Sequence, residues 1–400
     1  MPSQSIKDKL AQLGAKLGNT PATPRVQPVA SSGRPPLESL LPGGHWQEHA
    51  GGRVFVLESR YAPGHLLAPG HPLLPVEHTA QANACLRASA PPHGWLYLDT
   101  ETTGLAGGTG THAFLVGVGR FEQGGFVLRQ FLMDDPAREP ALLAALQAEF
   151  AGMTGTVTYN GKSFDLPLLT TRFVLNGQPP PHAALSHLDL LHIVRRLWRE
   201  RLETCSLSCV EYHIMGLMRE AGDIPGYQIP QLYFDWLRTG DGEFFEGVCY
   251  HNEVDILSLA ALHRLLAALL SDPDAHGELA PALPLARLFE QAGLIAQAEA
   301  QYRRALPDDL ARRGLAALCK RQNRREEAVA LWSELPGDPD ALVELAMHAE
   351  HHAKDIALAL EHTRRALALV VASMVPGRAK ALDDLEHRRD RLLRKLQAEQ

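Results

Sequence analysis

Four acidic residues stand in three short motifs along the middle of the chain: Asp99 and Glu101 in LDTETTGL, Asp165 in NGKSFDLPLL, and Asp255 in HNEVDIL. Carboxylates held close together repel one another, so a cluster of them points to a cation that neutralises it. Hard divalent cations prefer oxygen ligands, and two such ions can drive phosphodiester hydrolysis. This is the ligand set that a two-metal nuclease needs. Taken alone, an acidic pair after a strand reads equally as a solvated turn or a helix cap. The ordered set favours ligation.

These residues need elements to position them. Trp95 to Leu98 reads as a buried strand running into Asp99, Thr100 and Glu101, and strand alternation puts residues 99 and 101 on one side. A β-rich stretch, Thr156 to Tyr159, precedes Asp165, which lies near the start of an apolar-periodic segment from Phe164 to Leu175. The long helical pattern from Glu243 to Leu270 carries His251 and Asp255. Four residues apart, they share a helix face, whereas Tyr250 is turned away. Strands at Trp95 to Leu98, His112 to Phe121 and Phe126 to Met133 are closely spaced and predict an antiparallel meander. A helix from Glu139 to Ala151 before the next strand predicts a crossover and a mixed α/β sheet.

The DxETTG of residues 99–104, the Asn160-x-x-x-Phe164-Asp165-x-Pro167 segment and the terminal aspartate resemble the DEDD exonucleases of the ribonuclease H-like fold. HLDLLHIVRRLW, CSLSCVE, DIPGYQIPQLYFDWL and HNEVDILSL look more narrowly like the YprB-like branch. The resemblance covers roughly residues 40–270 and is strongest over 95–262. It implies a ribonuclease H-like mixed sheet flanked by helices, with metal ligands at Asp99, Glu101, Asp165 and Asp255 for two Mg²⁺ or Mn²⁺ ions. It also implies hydrolysis of single-stranded nucleic acid, DNA or RNA, from a 3′ end. The family's general base is a tyrosine four residues before the last aspartate in one subgroup and a histidine five before it in another. Here His251 holds the first spacing and Tyr250 the second. His251 is assigned as base because its ordinary pKa lies near neutrality and its helical face is right. Two other readings are a non-catalytic adaptor and a structure-selective endonuclease.

Outside this region the chain changes character. Residues 1–40 are rich in Pro, Ser, Lys and Arg and are expected to be disordered apart from a short amphipathic stretch, Ile6 to Leu17. Residues 41–93, with a strand at Arg53 to Ser59, are expected to pack as an extension on a nuclease domain spanning 94–272. Residues 273–400 form an all-α region. Segments 296–306, 325–335 and 355–367 resemble one another, and helices at Leu283 to Ala292, Asp309 to Arg321 and Pro339 to His351 complete pairs. The pattern looks like tetratricopeptide-type hairpins, closed by a helix over Asp383 to Gln400, and suggests a groove for a protein partner.

The formal charge of −7 excludes a protein that coats nucleic acid through bulk basicity. Locally, Arg195, Arg196, Arg199 and Arg201 either track phosphates or form a solvated helix face. No run of about 18 apolar residues is expected to span a bilayer, and a cytoplasmic location follows. The five scattered cysteines fit reduced thiols. A helix through Cys205, Cys209 and His213 would align three soft-metal ligands, although buried cysteines also line helix cores. Asp189 reads as a helix cap, and Asp223 and Asp235 are not counted as ligands.

Overall fold

Alternating apolar residues organise the strand-rich part of the chain. In the computed structural model, which describes residues 33–104, 110–220, 222–372 and 379–398, the strands are β1 (His45–His49), β2 (Gly52–Tyr61), β3 (Leu66–Ala68), β4 (His71–Pro72), β5 (Trp95–Thr102), β6 (Ala113–Glu122), β7 (Gly125–Leu132), β8 (Gly155–Thr158) and β9 (Ser186–Asp189). β3 and β4 pair separately, and the others form a seven-stranded sheet in the order β1-β2-β7-β6-β5-β8-β9. Neighbours from β1 to β5 are antiparallel, while β5, β8 and β9 are parallel. This is the expected mixed α/β sheet. Of the segment 1–40 expected to be disordered, residues 1–32, with the Ile6 to Leu17 stretch, lie outside the described residues, whereas 33–40 are ordered: Leu37–Leu40 forms a helical turn that buries Leu37, and Arg34 donates to the Asp134 and Leu237 carbonyls. The segment 41–93 does more than pack on the domain. It supplies β1 and β2 to the sheet itself, with Phe55 opposite Leu132.

Among the described residues, eight α-helical segments accompany the sheet: α1 (Leu37–Leu40), α2 (Ala80–Leu86), α3 (Glu139–Phe150), α4 (Asp165–Leu175), α5 (Leu190–Trp198), α6 (Leu207–Val210), α7 (Ile229–Thr239) and α8 (Phe245–Ser271). Alternation along β5 sends Trp95 and Tyr97 into one core with Val194, Trp198, Ile256 and Leu262. Leu96 and Leu98 enter the opposite core with Leu142, Leu169, Phe173 and Trp236. α8 is long and apolar enough, by length and composition, to cross a membrane, contrary to the sequence expectation. Its apolar residues are buried within the fold, which makes it the core helix.

After residue 280 the chain forms three helix pairs: Ala282–Gln291 with Ile295–Arg304, Asp309–Arg321 with Arg325–Ser333, and Pro339–His348 with Ile356–Ala372, followed by Ala379–Ala398. Ala298, Ala328 and Ala359 are fully buried at successive intervals of 30 and 31 residues. The Cys205, Cys209 and His213 expectation is corrected. Ser206 caps α6 by accepting from the Cys209 N–H, so Cys205 lies upstream of the helix and the three do not share its face.

One buried ion pair fixes α4 against α3. Glu139 accepts from Arg172 Nε and Nη2 at 2.5 and 2.6 Å, and from His112 Nδ1 at 3.0 Å and Asn176 Nδ2 at 2.9 Å. Burial alone would push its carboxyl up, but those donors outweigh burial and hold it at about 2. A depressed folded-state pKa stabilises the fold above the ordinary value of about 4.3 and loses that contribution as pH falls toward about 2. Glu139→Gln is expected to cost about 3 kcal/mol at pH 7. The difference from wild type should shrink as pH falls from about 4 to about 2, as read by urea denaturation across that range.

Candidate active site

The site lies where β5 overshoots its parallel neighbour β8. The pairing of the two strands ends at Tyr97 opposite Val157, and outside the carboxyl ends of parallel strands is where open α/β sheets place ligands. Asp99 and Glu101 follow Trp95 and Tyr97 on the face that α8 covers. Asp165 enters as the first residue of α4, after a turn in which Asn160 takes φ 64°, a conformation asparagine tolerates. That turn is clamped by Asp189, whose carboxylate accepts the backbone N–H of Asn160 at 2.8 Å and of Lys162 at 3.1 Å. Asp189 also caps α5 through the Leu191 N–H. Thr100 Oγ1 donates to Asp165 Oδ1, so the middle residue of the first motif orients the second.

α8 brings the third motif, and its close approach depends on a glycine. Gly117 on β6 lies opposite Asp99, and a Cβ there would fall 2.1 Å from Asn252 Oδ1. The space lets the fully buried Asn252 donate from Nδ2 to Asp99 Oδ2 at 2.9 Å. Gln130 Nε2 fixes the amide by donating to Asn252 Oδ1 at 3.0 Å. Asp255, one turn further along, faces the same centre, and His251 Nε2 lies 3.7 Å from Asp255 Oδ2. Tyr250 points elsewhere, its hydroxyl accepting the Glu220 N–H at 2.9 Å.

Asp99 and Glu101 sense the charges of the neighbouring carboxylates. Burial first, then the charges of Asp255, Glu101 and Asp165, push Asp99 well above the usual carboxylate range. Burial, with Asp255 and Asp165, does the same to Glu101. Burial raises Asp165 to about 6 against the opposing hydrogen bond from Thr100. A cavity of about 370 Å³ opens beside them, lined by Glu101, Phe164, Asp165, Gly226 and Pro230 among others. Phe164 is 51% exposed there.

Three residues that the sequence reading did not count as functional complete the centre. Asp223 Oδ1 stands 2.7 Å from His251 Nδ1. Arg219 Nη1, a donor, also lies 3.2 Å from that nitrogen; a ring proton on Nδ1 suits the shorter contact to Asp223 and leaves Nε2 as the acceptor on the side of Asp255. Arg219 donates from Nη2 to Asp255 Oδ1 and is held by the buried Glu211 through contacts of 2.7 and 2.8 Å. Burial disfavours its charge, but the hydrogen bond to Glu211 and the charge of Asp255 outweigh that and keep it protonated. Asn252 is the third, and adjacency to His251 within HNEVD was its only signal. By donor chemistry Asp99, Glu101, Asp165 and Asp255 fit hard divalent cations. With Arg219 seated on Asp255, no three His, Cys, Asp or Glu side chains among the described residues converge in ligating geometry.

Gly117→Ala is expected to force Asn252 aside and destabilise the protein by about 1–3 kcal/mol in chemical denaturation. Gly124→Ala, where nothing lies within 4 Å of the added Cβ, is the neutral control.

The match to a family model agrees with this architecture. Residues 96–267 match the model of the RNase_H superfamily. The "Uncharacterized protein YprB" of Bacillus subtilis (strain 168) is 37% identical over 285 residues, 68% of each chain. Among solved structures, the family B DNA polymerase of the hyperthermophilic archaeon Pyrobaculum calidifontis aligns with a TM-score of 0.37 and 16% identity, over 67% of this chain and 34% of the polymerase. The chain belongs to one family with YprB, and its residues 96–267 match the ribonuclease H superfamily.

Proposed function

We propose that the chain is a metal-dependent exonuclease that hydrolyses phosphodiester bonds of single-stranded nucleic acid from the 3′ end. Asp99, Glu101, Asp165 and Asp255 would hold two Mg²⁺ or Mn²⁺ ions. The observation that carries this reading is the gathering of four carboxylates at one sheet edge, where burial disfavours the ionised forms of Asp99, Glu101 and Asp165 and neighbouring carboxylates add to that at Asp99 and Glu101. Divalent cations bound there would supply Lewis-acid activation and charge stabilisation for in-line displacement. His251 Nε2 takes the proton of the attacking water, Asp223 holds the Nδ1–H, and the imidazolium that forms lies between the carboxylates of Asp223 and Asp255. The exposed ring of Phe164 offers an unpaired base a stacking surface beside the cavity.

In this reading residues 94–272, completed by β1 and β2, are the nuclease domain of a cytoplasmic protein. The helix pairs of 273–400 form a tetratricopeptide-like region that takes a protein partner. The adaptor reading draws on one observation, the Arg219 side chain seated on Asp255, which supplies positive charge without a metal.

Degradation of 3′- and 5′-labelled single-stranded DNA and RNA separates the two. The nuclease reading expects Mg²⁺- or Mn²⁺-dependent cleavage that Asp99→Ala and Asp255→Ala each reduce by about 10³-fold or more and that His251→Ala reduces by about 10²-fold or more. Absence of cleavage by the folded wild type in both metals supports the adaptor. A second readout is independent of turnover: Mn²⁺ is expected to raise the thermal unfolding midpoint of wild type and to leave that of Asp99→Ala unchanged.

A further inference from the structure

The four arginines after Asp189 do not act as one face. Arg201 donates to the Glu278 carbonyl at 2.9 Å, and the charge of Arg196 is felt by the Cys85 thiol. Arg195 and Arg199, one turn apart, line a groove of about 860 Å³ together with Tyr159, Asn160, Thr204 and Ser206. Both are exposed, and neither makes an ion pair among the described residues. This sets them apart from the arginines near the acidic centre, since Arg172 and Arg219 are each paired with buried carboxylates. In a chain of net charge −7, a groove with two guanidinium groups outside any ion pair and one carboxylate, Glu203, in its lining is a local excess of positive charge.

The groove is joined to the acidic centre by covalent and hydrogen-bonded structure. Asn160 lines it, and five residues later Asp165 enters the carboxylate cluster. Asp189 ties both ends together, clamping the 160–162 turn and capping the helix on which Arg195 rides. The groove therefore holds a fixed relation to the site. Its other walls offer hydroxyls: Thr204 Oγ1 and Ser206 Oγ are 3.1 Å apart. The Tyr159 ring stands in the wall with its hydroxyl donated to the Cys205 carbonyl at 2.6 Å. Guanidinium groups suit phosphate oxygens geometrically, hydroxyls add neutral donors, and an aromatic wall accepts a base or sugar.

We infer that this groove is a second binding site, which holds the sugar-phosphate backbone of the single strand several nucleotides away from the bond at the carboxylates, with Arg195 and Arg199 each engaging a phosphate. The inference rests on the nuclease reading only for the identity of the strand. It makes binding depend on strand length, because a substrate too short to reach the groove loses both contacts.

The test uses the full chain and fluorescein-labelled oligodeoxynucleotides in Ca²⁺ buffer, comparing a dinucleotide with a strand of about 12 nucleotides, a length within the usual single-strand site sizes. Arg195→Ala/Arg199→Ala is expected to weaken the long strand about 10-fold or more and to reduce the slope of log K against log salt by about 1 to 1.5. Affinity for the dinucleotide and the thermal unfolding midpoint should stay at wild-type values. Arg195→Lys/Arg199→Lys should keep most of the salt slope, which separates lost charge from local misfolding. Equal effects on both lengths, or no effect on either, would overturn the inference. So would polyglutamate competing as well as the long strand and with the same dependence on the two arginines, which would mark the groove as a site for an acidic polypeptide. Wild type that binds the long strand through these arginines yet cleaves nothing in Mn²⁺ would support the groove while removing the nuclease reading.

Discussion

Repulsion among carboxylates is the constraint around which this molecule is built. Asp99, Glu101, Asp165 and Asp255 come from a strand, the first turn of one helix and the middle of another. Folding brings them to a place where water cannot fully screen them. Each has a counterweight in the protein: Asn252 on Asp99, Thr100 on Asp165, and Arg219 on Asp255 and, through its charge, on Glu101. These contacts do not remove the charge problem, since Asp99, Glu101 and Asp165 still hold their protons more tightly than an exposed carboxyl. Such a site has unfulfilled demand for positive charge, the condition that favours a hard cation.

Much of the surrounding fold serves to hold that arrangement. The two cores on either face of β5 fix the strand, and α8 can lie close enough for Asn252 to reach Asp99 because β6 presents a glycine opposite. The Glu139–Arg172 pair locks α4, so Asp165 is set by α4's far end as well as by its own turn. Asp189, first read as a helix cap, also pins the turn before Asp165 and so connects three elements through one carboxylate.

The parts of this organisation that a sequence shows are those carried by local periodicity. Alternation from Trp95 onward put Asp99 and Glu101 on one face, and the four-residue spacing of His251 and Asp255 put them on one side of α8. Close strand spacing gave the antiparallel meander. The parts that did not show are long-range. β1 and β2 join the sheet through the pairing of β2 with β7, which no local pattern encodes. Asp223 and Arg219 sit in a stretch without regular secondary structure, and only its closure over α8 brings them to His251 and Asp255. Cys205, Cys209 and His213 misled for the complementary reason: their spacing is helical, but Ser206 starts the helix after the first of them.

Arg219 gives the site a built-in competitor. Its guanidinium is covalently tethered beside Asp255, so its effective concentration does not fall when the protein is diluted. Any cation arriving from solution must displace an intramolecular rival as well as bind, and its apparent affinity is reduced accordingly. Because Arg219 also contacts Asp223, the partner of His251, releasing it would disturb the neighbour of that imidazole at the same moment. Charge at the centre and alignment of the His251 ring are thus two readings of a single side chain's position.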